Sequence, residues 1–372
     1  MDLLIYDRDI NLIGVIDKLN SLIWTRRFWS CGDFKLLAPF TPRNSELLRE
    51  YRLIGKRGDD QLAEIEYVKL RKNSQGVENI EVQGKFITAR VSQRVIRNQI
   101  TMEDTAGNIF SRIFNENIIS PTKSERGIPN VSLDLDVNLP IDVISYASEP
   151  IANVLTACES LAKALKIGFY MSTDVRDKTH VFKVYTGRDL TAQNPTGNAP
   201  CVFAQEFDNI IEQEYTYSVE NVKTTAYVGG EEIEGTPRVF VEVGGGASEL
   251  DRREVYIDAK DLKRKYKNTS GVEVTMTPQQ YADMLYQRGV SMLEKYVENQ
   301  SFYSKINPFG ALRYRRDFDL GDLVTCISRR WGVRVDARIT EAAEIYETKG
   351  DRLEITFGES IPTLSEKIRQ II

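Results

Sequence analysis

Histidine is almost missing from this sequence: His180 is the only one among 372 residues. That scarcity removes most zinc sites, Ser-His-Asp triads and Cys-His dyads, each of which needs an imidazole at a fixed place. His180 falls at the turn in DKTHVFKVY, where a solvated strand-edge ring is expected and replacement by alanine should be near neutral. The four cysteines, Cys31, Cys158, Cys201 and Cys326, lie far apart with no CxxC pair. They read as reduced thiols, mostly buried, rather than a disulfide framework or a metal knuckle. No apolar run approaches the ~20 residues that cross a bilayer, so no stable membrane insertion is expected. The opening MDLLIYDRD lacks the basic and apolar regions of a secretory leader, which predicts assembly in a cytoplasm unless something larger carries the chain out. A basic surplus is missing too. The net charge of −5 and pI near 5.4 argue against a general nucleic-acid binder.

What remains is an ordinary globular composition, 41% hydrophobic and 28% charged, in a chain too long for one core. Residues 1–100 are strand-rich. LLIYDRDINLIGVID reads as a hairpin across Asp7-Arg8-Asp9, SLIWTRRF and DFKLLAPF as strands, and ARVSQRVI as a further strand. SELLREY between them reads as a helical turn capped by Asn44 or Ser45. From Thr101 the apolar period changes to about 3.6. Ala106, Ile109, Phe110, Ile113 and Phe114 share a face, with Thr101 as N-cap and Asp104 at N3. A second helix carries Ile151, Val154, Leu155, Cys158, Leu161, Ala162 and Leu165 and ends at Gly168, before strands KIGFYMST and HVFKVYTG. TAQNPTGNAP closes this α+β segment near residue 200. Strands resume, and a third helix opens at Thr277-Pro278-Gln279-Gln280 with the stripe Tyr281, Met284, Leu285, Leu293, Tyr296 and Val297. More strands follow.

Two hairpins at opposite ends resemble each other. Residues 63–87 and 337–361, aligned at an offset of 337 − 63 = 274, share Ala63/Ala337, Ile65/Ile339, Gly76/Gly350, Gly84/Gly358 and Ile87/Ile361. Leu353, Ile355 and Phe357 fall one residue out of phase with Ile80 and Val82, which requires a bulge or a slip.

The search for chemistry is negative: no catalytic, cofactor-binding or metal-binding residue is singled out. Asp134-Leu-Asp136-Val-Asn138 has the opening spacing of a calcium loop, but Leu139 and Ser145 stand where glycine and glutamate are needed, so a half-exposed strand is expected. Gly244-Gly245-Gly246 precedes no helix and reads as a hairpin loop rather than a phosphate cradle. The basic run Lys260–Lys267 lies beside acidic neighbours and reads as a solvated face. Trp24, Trp29 and Trp331 read as core or interface. Carboxylates are too many for spacing to mark out a glycosidase pair.

The order of elements resembles that of siphovirus-type tail hub proteins, as found in phages and prophages. The resemblance is carried by Asp7–Asp17, Trp24–Arg27, Gly32–Phe34, Gly84, the arginines Arg90, Arg94 and Arg97, and DLGDLVTC with Gly321-Asp322 at the far end. It implies an α+β, mostly β fold with two tail-tube-type antiparallel β-barrels and α+β and helical insertions. The expected segments are a first barrel at 1–100, an α+β insertion at 101–200, a second barrel from 201–250 and 301–362, and a helical insertion at 251–300. It further implies a structural baseplate hub in the virion tail: a homotrimeric ring enclosing the central channel, without cofactors. Partners would be the tail tube or distal tail protein, a tip, spike or fibre protein, and the tape-measure protein, with no specific nucleic acid. Some relatives continue into a peptidoglycan-cleaving domain; the sequence ends at Ile372, so no enzyme is expected. A receptor- or glycan-binding tip protein is the alternative, ahead of a cell-wall hydrolase.

Overall fold

The computed structural model describes residues 1–148, 151–267, 273–293, 295–307, 310–348 and 350–358. The chain divides into two compact units, one of Met1–Glu214 with Phe302–Glu359, the other built on Tyr215–Ser301. In the first, β1 (Leu3–Tyr6) and β2 (Leu12–Ile16) form the expected hairpin. The Asp7 carboxylate holds its loop, accepting from Asp9 N at 3.0 Å and Asn11 N at 2.8 Å. Strands β3 (Ser21–Arg27), β4 (Asp33–Pro39), β5 (Leu53–Lys56), β6 (Leu62–Lys72) and β7 (Glu78–Phe86) follow. Their alternation sends Leu22, Trp24, Phe34, Leu36, Ile80 and Val82 into one core with Leu3, Ile5 and Ile54. Helix α1 (Pro42–Leu47) is capped by Thr41, whose hydroxyl accepts from Asn44 N at 3.0 Å, not by Asn44 or Ser45. The segment ARVSQRVI is not a strand. Ile87–Gln93 winds as a 3₁₀ turn because Ile87, Thr88 and Val91, three to four apart, all go inward.

In the next segment, β8 (Thr101–Asp104) is extended and pairs with β10 below, so the expected helix starts later, as α2 (Ala106–Phe114). Asp104 precedes that helix and accepts from Thr105 N at 2.8 Å and Asn108 Nδ2 at 2.6 Å. Strands β9 (Val131–Leu135) and β10 (Ile144–Ala147) lead to α3 (Val154–Leu165), capped by Asn153. Ile151, expected on that helix, lies ahead of it and exposed at positive φ, and the helix stops at a left-handed Lys166 rather than at Gly168. Gly168 instead opens β11 (Gly168–Asp174), where a Cβ would stand 2.2 Å from the Phe28 ring. With β12 (Thr179–Tyr185), the order β11-β12-β9 makes a sheet whose Phe169 and Phe182 pack on Phe114 of α2.

The chain then forms β13 (Asp189–Leu190), β14 (Val202–Ala204) and β15 (Ile210–Ser218) and enters the second unit. There β16 (Thr225–Gly229), β17 (Phe240–Gly244) and β18 (Glu254–Asp258) pair in the order β17-β16-β18. Strands 225–244, expected in the second barrel, therefore belong to a separate sheet, because Ala226, Val228, Val243 and Ile257 bury against a helix of their own. After the pair β19 (Lys265–Lys267) and β20 (Glu273–Thr275), that helix is α4 (Pro278–Leu293). It begins as its sequence dictates: Gln280 N donates to Thr277 Oγ1 at 3.2 Å, and Thr277 N donates to Gln280 Oε1 at 3.0 Å. Tyr281 and Leu285 are buried, whereas Tyr296 and Val297 lie beyond the helix. Leu285→Asp places an unpaired charge in this core and is expected to cost several kcal/mol (~3–5). Wild-type urea unfolding of the variant would count against the packing.

Back in the first unit, β21 (Asn299–Ile306), β22 (Leu323–Ser328), β23 (Val333–Glu347) and β24 (Gly350–Gly358) complete the large sheet. Its order is β15-β21-β24-β23-β3-β4-β7-β6-β5-β1-β2, with β22 beside β23 and β13 and β14 beside β22. Among the described residues the sheet is open at both ends, so neither expected barrel closes within one chain.

Candidate functional site

The large sheet contains one plan twice. Strands β3, β4, β5, β6 and β7 follow one another in the chain and give the order β3-β4-β7-β6; β15, β21, β22, β23 and β24 give β15-β21-β24-β23. The second unit is inserted between β15 and β21, where the first copy has only the loop from β3 to β4. Details recur. The β6–β7 ladder shifts register between Ile65 and Tyr67, and the β23–β24 ladder between Ile339 and Glu341, both at the offset 339 − 65 = 341 − 67 = 274. Tyr51 and Gly321, each at positive φ, lie two residues ahead of β5 and β22. Tyr51 N donates to Ile65 O at 2.9 Å, and Gly321 N donates to Ile339 O at 2.8 Å. The matched glycines do not coincide. Ile65 faces Gly84 but Ile339 faces Phe357, so the returning strand aligns at 357 − 84 = 273. That one-residue slip in the turn puts Leu353 and Ile355 in phase with Ile80 and Val82. Gly84 has its own reason, since a Cβ there would lie 1.8 Å from Glu64 O at the bulge. Ile361 and Lys349 lie outside the described residues.

The copies meet where β23 pairs with β3, Glu341–Glu347 against Ser21–Arg27. The core side of this seam holds a buried ion network that the sequence reading did not find. Arg26, 4% exposed, bonds both Asp59 and Glu344; Lys56 Nζ donates to Glu344 Oε2 at 2.6 Å; Tyr346 OH donates to the same oxygen at 2.6 Å. Burial would raise the Glu344 carboxyl, but Arg26 and Lys56 outweigh it and hold it at about 2. One signal was available: in Trp24-Thr25-Arg26 the strand alternation sends an arginine inward with a tryptophan.

The opposite face of the same strands carries ion pairs among Ile23, Leu37 and Ile345. Arg27 pairs with Glu341 at 2.8 Å and Asp33 at 2.5 Å, Lys35 with Glu81 at 3.2 Å, and Arg352 with Glu347 at 3.4 Å. Besides that of the terminal strand β2, two edges are unfilled among the described residues. Strand β5 covers β6 only at Leu62–Glu64, leaving the outer edge of Glu66–Lys72 with no strand among the described residues, and β15 pairs with β21 alone. In the second copy the stretch equivalent to that β6 edge is the one β3 covers.

His180 is not solvated. It sits in β12, the middle strand of its sheet, 4% exposed, with Nδ1 3.0 Å from Thr173 Oγ1. Burial, and secondarily Arg90, push its pKa down to about 4. The neutral ring is thus favoured by folding. Stability is fully present above the ordinary value near 6.5 and falls between pH 6.5 and 4 as the unfolded chain takes the proton. His180→Ala is accordingly expected to lower the melting temperature at pH 7.5 and to flatten the pH profile between 6.5 and 4. An unchanged profile would show that the ring does not titrate as described.

The other candidates scatter. Cys158, Cys201 and Cys326 are buried free thiols and Cys31 is half-buried. Asp134 lies in β9, while Asp136 accepts from Asn138 N and Thr186 N. Gly244 ends β17 at positive φ. In the basic run, Lys260 pairs with Asp258 and Lys263 with Glu231. Trp24 is core, Trp29 packs on the α+β core, and Trp331 is exposed. Arg90 pairs with Glu64 at 2.8 Å and Arg94 donates to the carbonyls of Arg126 and Gly127, so both tie segments together. A cleft of about 570 Å³ includes Arg26, Asp60, Tyr170, Lys183, Arg315 and Asp319 in its wall, with arginines and aspartates interleaved. Among the described residues no cluster of His, Cys, Asp and Glu could hold a metal ion.

A duplicated sheet, a stitched seam and two open edges describe a building block. The model of the family described as Siphovirus ReqiPepy6 Gp37-like protein matches residues 2–359. The chain belongs to that siphovirus tail-protein family. No curated protein matches it. Solved structures of tail proteins share the fold of this family member. The tail protein from Neisseria meningitidis MC58 aligns with a TM-score of 0.56 at 11% identity over 96% of each chain. The 43 kDa tail protein of prophage MuSo2 from Shewanella oneidensis gives 0.55 at 14% identity, over 96% of this chain and 98% of that one. Prophage tail protein gp18 from Listeria monocytogenes EGD-e gives 0.52 at 13%, over 100% and 98%. At these identities the likeness is one of fold.

Proposed function

We propose that the chain is the structural baseplate hub of a phage or phage-like tail, three copies forming a ring around the central channel. The observation that carries this is the complementarity of two unpaired edges, that of β15 and the outer edge of β6 at Glu66–Lys72. Within one chain the last strand of the second copy, β23, takes the first strand of the first copy, β3. The same rule applied between chains seats β15 of a neighbour on the open edge of β6. Repetition closes the ring at 3 × 2 = 6 copies, with 3 × 8 = 24 strands, in one barrel that no single chain closes alone. Six near-equivalent copies suit a six-fold tail tube on one side, while the three-fold symmetry suits a tip, spike or fibre protein on the other. The ion-paired face lines the channel in this arrangement. Arg27, Lys35 and Arg352 on it are already paired, which leaves fewer free cations for a passing polyanion or tape-measure protein to stick to. No catalysis is assigned, and the place of action is the virion tail. Native mass spectrometry of the purified chain should give 3 × 42.4 = 127.2 kDa. A two-fold dimer would remove the ring.

A further inference from the structure

Among the described residues, the second unit has one sheet face on which no helix packs. Helix α4 packs on the side of Ala226, Val228, Val243 and Ile257. The other side presents Tyr227 from β16, Phe240 and Glu242 from β17, and Glu254, Tyr256 and Asp258 from β18. It carries no aliphatic side chain. Phe240 and Tyr256 are 57% and 54% exposed. Tyr256 lies across the sheet, its hydroxyl 2.7 Å from where a Cβ of Gly229 would stand, so one ring face is turned outward.

Two arginines fix this face in place. Arg238 lies over the rings of Phe240 and Tyr256, 5.6 and 5.9 Å from their centroids, and so takes one face of each; it donates to Gly229 O and Gly230 O and pairs with Glu232 and Asp258. Arg252 lies beside Tyr227 and pairs with Glu242 at 2.9 Å and Glu254 at 2.6 Å. Every guanidinium is thus spoken for, while Glu242 and Glu254 each bond Arg252 through Oε1.

We infer that this face is a binding site for a neutral oligosaccharide of pyranose units. Size argues first. Three five-residue strands cover about 16 by 10 Å, a few hundred Å² at most with side chains, against the ~800 Å² each partner contributes to a standard protein interface. Charge argues second. An ionic ligand would have to break arginine pairs that already exist, and an aliphatic one would bury them without compensation. A sugar does neither. Its C–H face stacks on an aromatic ring, and its vicinal hydroxyls donate to carboxylate oxygens that keep their arginine partners. Phe240 and Tyr256 stand two strand spacings (about 10 Å) across the sheet and two residues (about 7 Å) along it, so linked rings can use both. The site is built from three strands of one chain.

Saturation-transfer NMR and calorimetry on the full chain test this, with β1,4-linked tetramers of glucose and of N-acetylglucosamine as probes and a sulfated oligosaccharide for contrast. At least one neutral tetramer should bind, with less than a twofold change between 0.05 and 0.5 M salt. Tyr256→Ala and Phe240→Ala should each weaken binding at least tenfold, while Tyr286→Ala, an exposed tyrosine on α4, should not change it. No binding of either neutral tetramer, binding indifferent to both substitutions, or salt-sensitive binding of the sulfated probe alone would each overturn the assignment. Failure to bind combined with protection of Tyr256 from hydroxyl radicals only in assembled tails would give the face to a protein partner instead.

Discussion

Replacing Glu344 by alanine is expected to lower the unfolding free energy by about 3–5 kcal/mol, the cost of stranding buried cations. Glu344 is the point where Arg26 of β3, Lys56 of β5 and Tyr346 of β23 converge, and all four side chains are largely shielded from water. The loss should not come from the missing attraction alone. It should come chiefly from Arg26 and Lys56, which stay desolvated with Asp59 as their remaining carboxylate. Arg26→Met combined with Glu344→Leu removes one charge of each sign and fills the space, so that variant should regain most of the stability. Urea unfolding of both variants decides the matter; a loss below about 1 kcal/mol in Glu344→Ala would mean that the network is already solvated. The pH dependence has a definite sign. Glu344 is held at about 2 when folded, below its unfolded value near 4.3. Its contribution is therefore present above pH 4.3, falls as pH drops from there toward 2, and is absent from that profile in Glu344→Ala.

How much of this was legible beforehand depended on whether a feature is local. The capping box at Thr277-Pro278 and Gln280 is written in four adjacent residues and folds as written. The same Thr-Pro pair at Thr41-Pro42 also starts a helix, where the sequence reading puts the cap on Asn44 or Ser45 instead. Thr101–Asp104 imitates a helix start, with a threonine three residues before an acid, yet it is a strand because Ile144–Ala147, some 40 residues on, pairs with it. Ladder partners at such separations leave no mark on the segment itself.

The same holds for the buried polar groups. His180 looks like a turn residue until β9 is seen to pair with its outer side, which makes its strand central. Lys56 and Glu344 are 288 positions apart, and no spacing rule joins them. The duplicated hairpin was visible because it repeats a local pattern, bulge included, and its one-residue slip follows from turns of different length after Lys72 and Glu347. What sequence identity could not supply was the order of the strands around it.

That order leads to the second large effect. If β15 of one chain fills the open edge of β6 in the next, Leu70→Cys should form a disulfide with one of Glu212→Cys, Gln213→Cys or Glu214→Cys, tested pairwise. Leu70 corresponds to Glu344 at the 274 offset, in the middle of the covered seam of the second copy, so it should lie near the middle of the β15 ladder. Only one register brings Cα atoms within the ~4.4–6.8 Å that a disulfide spans, and so a single pair should react strongly. Oxidised samples should show a covalent dimer and a covalent trimer and then stop, because a closed ring has no free end. A ladder running past the trimer would indicate an open filament, and no product from any of the three pairs would remove the edge assignment. Charges supply the complementary experiment. Leu70 and Ile211 are 59% and 53% exposed in the isolated chain, so Leu70→Lys with Ile211→Lys should leave its unfolding within about 0.5 kcal/mol of wild type. In the ring the same lysines would face a paired strand, where like charges and lost apolar contact oppose joining. The double variant should therefore run as a monomer of 42.4 kDa in native mass measurements. Trimers of undiminished abundance from that variant would place the contact between chains somewhere other than these edges.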